Sequence, residues 1–137
     1  MNVQKTLVEF FKGSCYSLSI AYVNSDPVIR NDMYYLLIDV VQGWRNGFID
    51  NSGYVSKPHK YATMCRGEEK YYKDVEKVFI KSLDELPDED EWIVEYQYNG
   101  GSHFVVCQKG RVIWDPWENS ETVKNGKPVS YRKFIKY

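Results

Sequence analysis

The chain has 137 residues, of which 43% are hydrophobic and 27% are charged, and its net charge is −1. This length and balance are typical of a globular protein with one core, and we expect a single domain over residues 1–137. A net charge near zero argues against nucleic acid or a membrane surface as a partner. The sequence contains no convincing signal peptide and no apolar run of membrane-spanning length, which predicts a cytoplasmic protein.

The cysteines and histidines are too few and too dispersed for a disulfide framework or a zinc site. Cys15, Cys65 and Cys107 are odd in number, and no Cys-x-x-Cys pair exists. The two histidines, His59 and His103, stand far apart in the sequence. We therefore expect reduced thiols, no metal site and no other cofactor.

The first half of the sequence predicts helices. The run from Cys15 to about Asn24 is interpreted as a helix with Ser14 at its N-cap. A second helix is predicted to start at Asp26-Pro27 and to end near residues 43–47, because apolar residues between them recur at helical spacing. Apolar residues on one face predict a third helix over about residues 68–83.

From Trp92 onward the apolar pattern changes to a period of two. Strands are predicted over residues 92–98, 103–108 and 111–114, with a last strand over residues 129–137. Asn99-Gly100-Gly101 and Lys109-Gly110 are typical of hairpin turns. Helices followed by an antiparallel sheet indicate an α+β fold.

Cys15 is a candidate nucleophile because it stands at the predicted start of a helix. The helix dipole and the free amides at such a position favour a thiolate, and a backbone amide there could receive an oxyanion. His103, at the beginning of a strand, is the candidate base. Asp115 ends the next strand, and the short turn between the two strands should bring it within side-chain reach of His103. The carboxylate could then orient one ring nitrogen and leave the other facing the thiol.

Two short motifs resemble those of the papain-like cysteine peptidases. Gly13-Ser14-Cys15-Tyr16 matches the nucleophile motif Cys-Gly-(Ser or Ala)-Cys-(Trp or Tyr), although Lys12 replaces the leading Cys. Ser102-His103-Phe104, followed by Trp114-Asp115-Pro116-Trp117, is similar to the compact bacterial and phage members, including the peptidases that trim double-glycine leader peptides. The resemblance implies a papain-like fold and a catalytic triad of Cys15, His103 and Asp115 that acts on a peptide or protein substrate.

The resemblance also implies an oxyanion hole formed by the Cys15 amide and by a glutamine a few residues upstream. Glu9 stands near the expected position in place of that glutamine. A carboxylate there would repel an oxyanion. Gln4, the only glutamine upstream of Cys15, is therefore the candidate second donor.

Trp114 and Trp117 flank Asp115 and are candidates for the wall of a substrate groove. The alternative for each tryptophan is packing in the core or at its rim. Cys65 and Cys107 lack a neighbouring histidine and acid in the sequence pattern, so we expect both in the core.

The sequence leaves three functions open. The first is a cysteine hydrolase, a peptidase or amidase acting on a peptide or isopeptide bond, although a deamidase or acyltransferase would use the same triad. The second is a papain-fold binding module that has lost turnover, which the glutamate at position 9 favours. The third is an interaction protein of phage or plasmid origin that acts by occluding a host protein.

Overall fold

The computed structural model describes residues 10–118 and 120–137. A 3-10 turn covers Leu83–Glu85. The helices and strands, in chain order, are α1 (Cys15–Asn24), α2 (Met33–Arg45), α3 (Pro58–Cys65), β1 (Tyr72–Phe79), β2 (Trp92–Tyr98), β3 (Gly101–Gln108), β4 (Arg111–Trp114), α4 (Glu121–Asn125) and β5 (Lys127–Lys136). Helices therefore precede the sheet, and the predicted α+β class is confirmed.

The five strands form one antiparallel sheet in the order β1-β5-β2-β3-β4. Asn99 and Gly100, between β2 and β3, have positive φ angles of 50° and 79°, as in a hairpin turn whose twist matches the strands. The short strand β4 pairs with β3 from Val106 to Gln108. Among the described strands, the first half of β3 is thus paired with β2 alone and has an open edge on its other side.

A β-bulge interrupts the pairing of β3 with β4. Cys107 lies opposite Val112, but Val106 lies opposite Trp114, so Ile113 is an extra residue on β4. An extra residue turns all later side chains of its strand to the other face of the sheet. Trp114 accordingly lies on the same face as Val106, and both side chains pack in the cluster under the helices.

Hydrophobic clusters cover both faces of the sheet. The helices pack on one face, over a cluster that includes Leu18, Ile20, Leu36, Tyr61 and Val106. The cluster on the other face is closed by the segment 80–87 and by α4, and it includes Ile80, Leu86, Val94, Val105 and Cys107. None of the described helices has the length and apolarity needed to cross a membrane.

The bounds of α1, β2 and β4 are those predicted from the sequence, but the start of the second helix is not. Helix α2 begins at Met33, and Asp32 caps it by accepting the N–H of Tyr34 at 3.0 Å. Asp26 instead accepts the N–H of Val28 at 2.8 Å and forms a turn. Asp26 and Asp32 are both suitable N-cap residues, and Asp32, which directly precedes the helix, is the one that caps it.

The predicted third helix is wrong, because this segment contains the strand β1. A register shift between Tyr72 and Asp74 interrupts the pairing of β1 with β5 at the edge of the sheet. The more buried positions of β1 are Tyr72, Val75 and Val78, at intervals of three residues, with Tyr72 in the cluster under the helices and Val78 against the cluster on the other face. This spacing imitates the apolar face of a helix.

Candidate active site

Helix α1 places Cys15 against the open edge of β3. The hydroxyl of Ser19 donates to the carbonyl of Phe104 at 3.3 Å, so the first turns of α1 pack against the backbone of β3. The start of α1 thus uses the backbone groups that β3 exposes at its edge. Because Phe104 directly follows His103, the start of α1 lies beside the part of β3 that carries His103.

The start of α1 is buried but rich in hydroxyl groups. Ser14 donates to the carbonyl of Phe10 at 2.7 Å, and Ser17 donates to the carbonyl of Ser14 at 3.1 Å. Ser14 therefore occupies the N-cap position without capping any first-turn amide. These amides, including that of Cys15, are the donors a developing oxyanion would need. Gln4 and Glu9, on which the prediction of a second donor depends, lie outside the described residues.

His103 and Asp115 form a direct hydrogen bond in a buried position. His103 is 4% exposed, and its Nε2 lies 2.7 Å from Oδ1 of Asp115. The predicted proximity of the two side chains is confirmed, and the bulge explains it. In an unbroken register Asp115 would lie opposite Phe104 and face away from His103, but the extra residue Ile113 turns it to the face of His103. The carboxylate thus engages Nε2, and Nδ1 is the ring nitrogen that this hydrogen bond does not use.

The turn that follows β4 holds Asp115 in place. Oδ1 also accepts the N–H of Trp117 at 2.9 Å, and Oδ2 accepts the hydroxyl of Ser120 at 2.8 Å. Burial opposes the ionisation of Asp115, but the hydrogen bonds from His103, Trp117 and Ser120 more than offset it. The pKa of Asp115 therefore lies below its ordinary value of 3.8. The result is an ionised carboxylate with a fixed orientation toward the imidazole.

The two tryptophans beside Asp115 occupy different environments. The ring of Trp117 stacks against that of His103 with 6.4 Å between centroids, and its residue is 42% exposed. It lies against the histidine but does not line the cavity beside Cys15, so the structure does not place it in the predicted groove wall. Trp114 stacks on Tyr22 at 4.4 Å against the helices, and it does not line the cavity beside Cys15. Of the two alternatives for Trp114, a groove wall and packing at the core, the structure shows packing at the core.

Burial raises the pKa of the Cys15 thiol above its ordinary value of 9.0. Backbone hydrogen bonds from Phe104, Tyr16 and Cys15 itself lower it, but by less. The nearby charge of Asp115 raises it further. We expected the helix start to favour the thiolate, and this expectation is wrong because burial has the larger effect. Burial at this position thus favours the protonated thiol over the thiolate.

The other cysteines lie in the core. Burial raises the pKa of Cys107 to about 12, and it also raises that of Cys65, which is half-buried against the helical cluster. Across the described residues, no three His, Cys, Asp or Glu side chains are grouped in a way that could hold a metal ion.

A cavity of about 390 Å³ opens beside Cys15. Aromatic rings form much of its wall, from Tyr16, Tyr54 and Phe104. The basic side chains of Lys12 and Arg132 also line it. The cavity gives a substrate room next to the sulfur, on a surface that is part apolar and part cationic.

A family model described as a protein of unknown function, DUF261, matches residues 2–136. The match spans nearly the whole chain, so the chain belongs to this family. No curated protein and no solved structure matches the chain.

Proposed function

We propose that this member of the DUF261 family is a papain-like cysteine hydrolase that cleaves an amide bond in a peptide or protein. The observation that carries the proposal is the buried hydrogen bond of 2.7 Å between His103 and Asp115, at the strand edge where α1 presents Cys15. A nucleophile next to a base that a third group orients is the arrangement that covalent catalysis needs.

The order of elements supports the papain-like part of the proposal. A helix that starts at the cysteine precedes an antiparallel sheet, in which β3 carries the histidine and the aspartate directly follows the adjacent strand β4. The position of Trp117 over His103 is a further point in its favour, because a ring there limits the access of water to the hydrogen bond with Asp115.

In the proposed mechanism Cys15 begins as a thiol. As its sulfur attacks the substrate carbonyl and forms the C–S bond, His103 takes the thiol proton through Nδ1, and Asp115 stabilises the imidazolium. The backbone N–H of Cys15 receives the oxyanion. The intermediate then expels the amine, which leaves with the proton from His103. Water deprotonated by His103 hydrolyses the thioester and releases the free thiol.

A papain-fold binding module without turnover is the second candidate. The raised pKa of the Cys15 thiol favours it, because a buried thiol with a high pKa is typical of an unreactive cysteine. In this case the cavity would hold a peptide without any covalent step.

The rate at which iodoacetamide alkylates each cysteine, followed by mass spectrometry, separates the two candidates. We expect Cys15 to react faster than Cys65 and Cys107 at neutral pH. His103→Ala should slow Cys15 on the order of a hundredfold, because a positioned general base is lost. His59→Ala is the matched control and should leave the rate unchanged. Equal rates at Cys15 in the wild type and in His103→Ala would contradict the hydrolase and favour the binding module.

A further inference from the structure

The cavity beside Cys15 carries an excess of positive charge. Lys12 and Arg132 line it, and none of its described lining residues is acidic. Glu95 lies behind Arg132, with 3.4 Å between Glu95 Oε1 and Arg132 Nη2. The same carboxylate oxygen also lies 3.6 Å from the Nζ of Lys77. One carboxylate is therefore shared between two cations, and Lys12 adds to the charge that remains.

Arg132 is held rigidly at the cavity and keeps donors for a ligand. Its Nη1 donates to the hydroxyl of Ser130 at 2.8 Å, and its side chain is 15% exposed. The guanidinium lies over the rings of Phe104 and Tyr16, at 5.1 Å and 5.8 Å from their centroids. A guanidinium fork offers more N–H groups than the contacts with Ser130, Glu95 and Tyr16 use.

We propose that this cavity is a subsite for a carboxylate of the substrate, next to the bond that Cys15 attacks. The inference rests on the proposed function, since Cys15 marks the point of reaction. Arg132 binds the carboxylate through charge-assisted hydrogen bonds, which the surrounding rings protect from solvent screening. Lys12, at the exposed side of the cavity, adds a weaker attraction. The carboxylate belongs to an acidic side chain or to the free carboxyl end of a peptide.

Iodoacetate and iodoacetamide form a matched pair of probes, because both alkylate a thiol and only the first carries a carboxylate. We expect the ratio of iodoacetate to iodoacetamide rates at Cys15 to exceed the ratio for free glutathione on the order of tenfold. Arg132→Gln should abolish this preference while iodoacetamide still reacts. Lys12→Gln should reduce it, and its exposed position keeps the test valid if Arg132→Gln fails to fold. Lys109→Gln changes the net charge equally, away from the cavity, and should leave the preference intact.

A ratio at Cys15 equal to that of glutathione would overturn the subsite, as would a preference that survives Arg132→Gln. If that variant is unfolded, a preference that Lys12→Gln leaves undiminished would overturn it. This outcome differs from a failure of the hydrolase proposal, in which His103→Ala leaves the iodoacetamide rate at Cys15 unchanged. The two proposals therefore fail in separate measurements.

Protection of Cys15 from iodoacetamide identifies the source of the carboxylate. The probes are aspartate blocked at both ends, N-acetylglycine, and asparagine blocked at both ends. Protection by the aspartate derivative indicates an acidic side chain, and protection by N-acetylglycine indicates a chain terminus. Protection by neither carboxylate, or equal protection by the asparagine derivative, would count against the subsite.

Discussion

Two buried carboxylates lie on either side of β3, Asp115 at its open edge and Glu95 on β2. Serine hydroxyls hold both of them: Ser120 donates to Asp115 at 2.8 Å, and Ser102 and Ser130 each donate to Glu95 at 2.9 Å. Burial opposes the ionisation of each carboxyl, and hydrogen bonds more than offset it, so both pKa values are lowered. Up to this point the two clusters are built alike.

The clusters differ in the cation that each carboxylate faces. Asp115 faces His103, whose imidazole has two ring nitrogens, one of them bonded to the carboxylate. Glu95 faces the guanidinium of Arg132 and the ammonium of Lys77. The same combination of burial and serine hydroxyls thus lies beside an imidazole at one cluster and beside two basic side chains at the other. In the two proposals, the first cluster serves proton transfer and the second serves the binding of a carboxylate.

Asp115→Asn is expected to have the largest effect on reactivity. An amide cannot stabilise an imidazolium, so alkylation of Cys15 by iodoacetamide at neutral pH should slow on the order of a hundredfold. Glu95→Gln is the matched carboxylate-to-amide control, and the rate in this variant should stay within a few-fold of the wild type. If alkylation of Cys15 slowed equally in both variants, the two carboxylates would not differ in their effect on the thiol.

Glu95→Gln is expected to have the larger effect on stability. Arg132 loses the charged partner of its partly buried guanidinium, so the free energy of unfolding should fall by about 2 kcal/mol. Urea denaturation measures this loss. Glu76→Gln, which removes an exposed carboxylate from β1, is the control and should change little. Equal stability of Glu95→Gln and Glu76→Gln would show that the charge of Glu95 does not stabilise the fold.

Both carboxylates should make the protein less stable in acid. A group with a lowered folded-state pKa contributes stability above its ordinary pKa, which is 3.8 for Asp115 and 4.5 for Glu95, and this contribution is lost as the pH falls through the folded value. From neutral pH to about pH 3, the free energy of unfolding should therefore fall less in Asp115→Asn and in Glu95→Gln than in the wild type. Urea titrations across this pH range measure the fall in the free energy of unfolding. A variant whose stability follows the wild-type pH curve would refute the prediction for that carboxylate.

Trp117→Ala is expected to have the smallest effect. Its ring covers His103 from solvent, so its loss admits water to the hydrogen bond with Asp115 and should slow alkylation of Cys15 a few-fold. Trp44→Ala removes a tryptophan of similar exposure, 45% against 42%, from α2 and is the control. A rate unchanged by Trp117→Ala would show that the ring does not protect the cluster.

The sequence predicts the Asp115 cluster better than the Glu95 cluster, because the first depends on local structure. A helix start at Cys15 and two hairpin-linked strands can be recognised from short patterns, and they place His103 near Asp115. The partners of Glu95 come from β3 and β5, far apart in the chain. Strand alternation also places a lone glutamate on the solvent side unless both faces of the sheet are covered, which only the packed fold reveals.

The features of the site that the sequence does not predict depend on burial and on the bulge in β4. The pKa of Cys15 depends on how deeply the helix start is buried, and no local pattern gives that depth. The bulge at Ile113 adds an apolar residue to an apolar strand and leaves no signal in the sequence. The sequence also did not predict the role of Ser120. Its position at the N-cap of α4 is nevertheless one that favours a hydroxyl side chain.

The bulge in β4 makes the pairing of His103 with Asp115 depend on the number of residues after the turn rather than on their chemical nature. Replacing Ile113 by valine should be tolerated, whereas deleting it should turn Asp115 toward Phe104 and disconnect it from the imidazole. Insertions and deletions are thus more harmful here than substitutions. Related chains should vary in residue type between Gly110 and Asp115 and yet keep the same length.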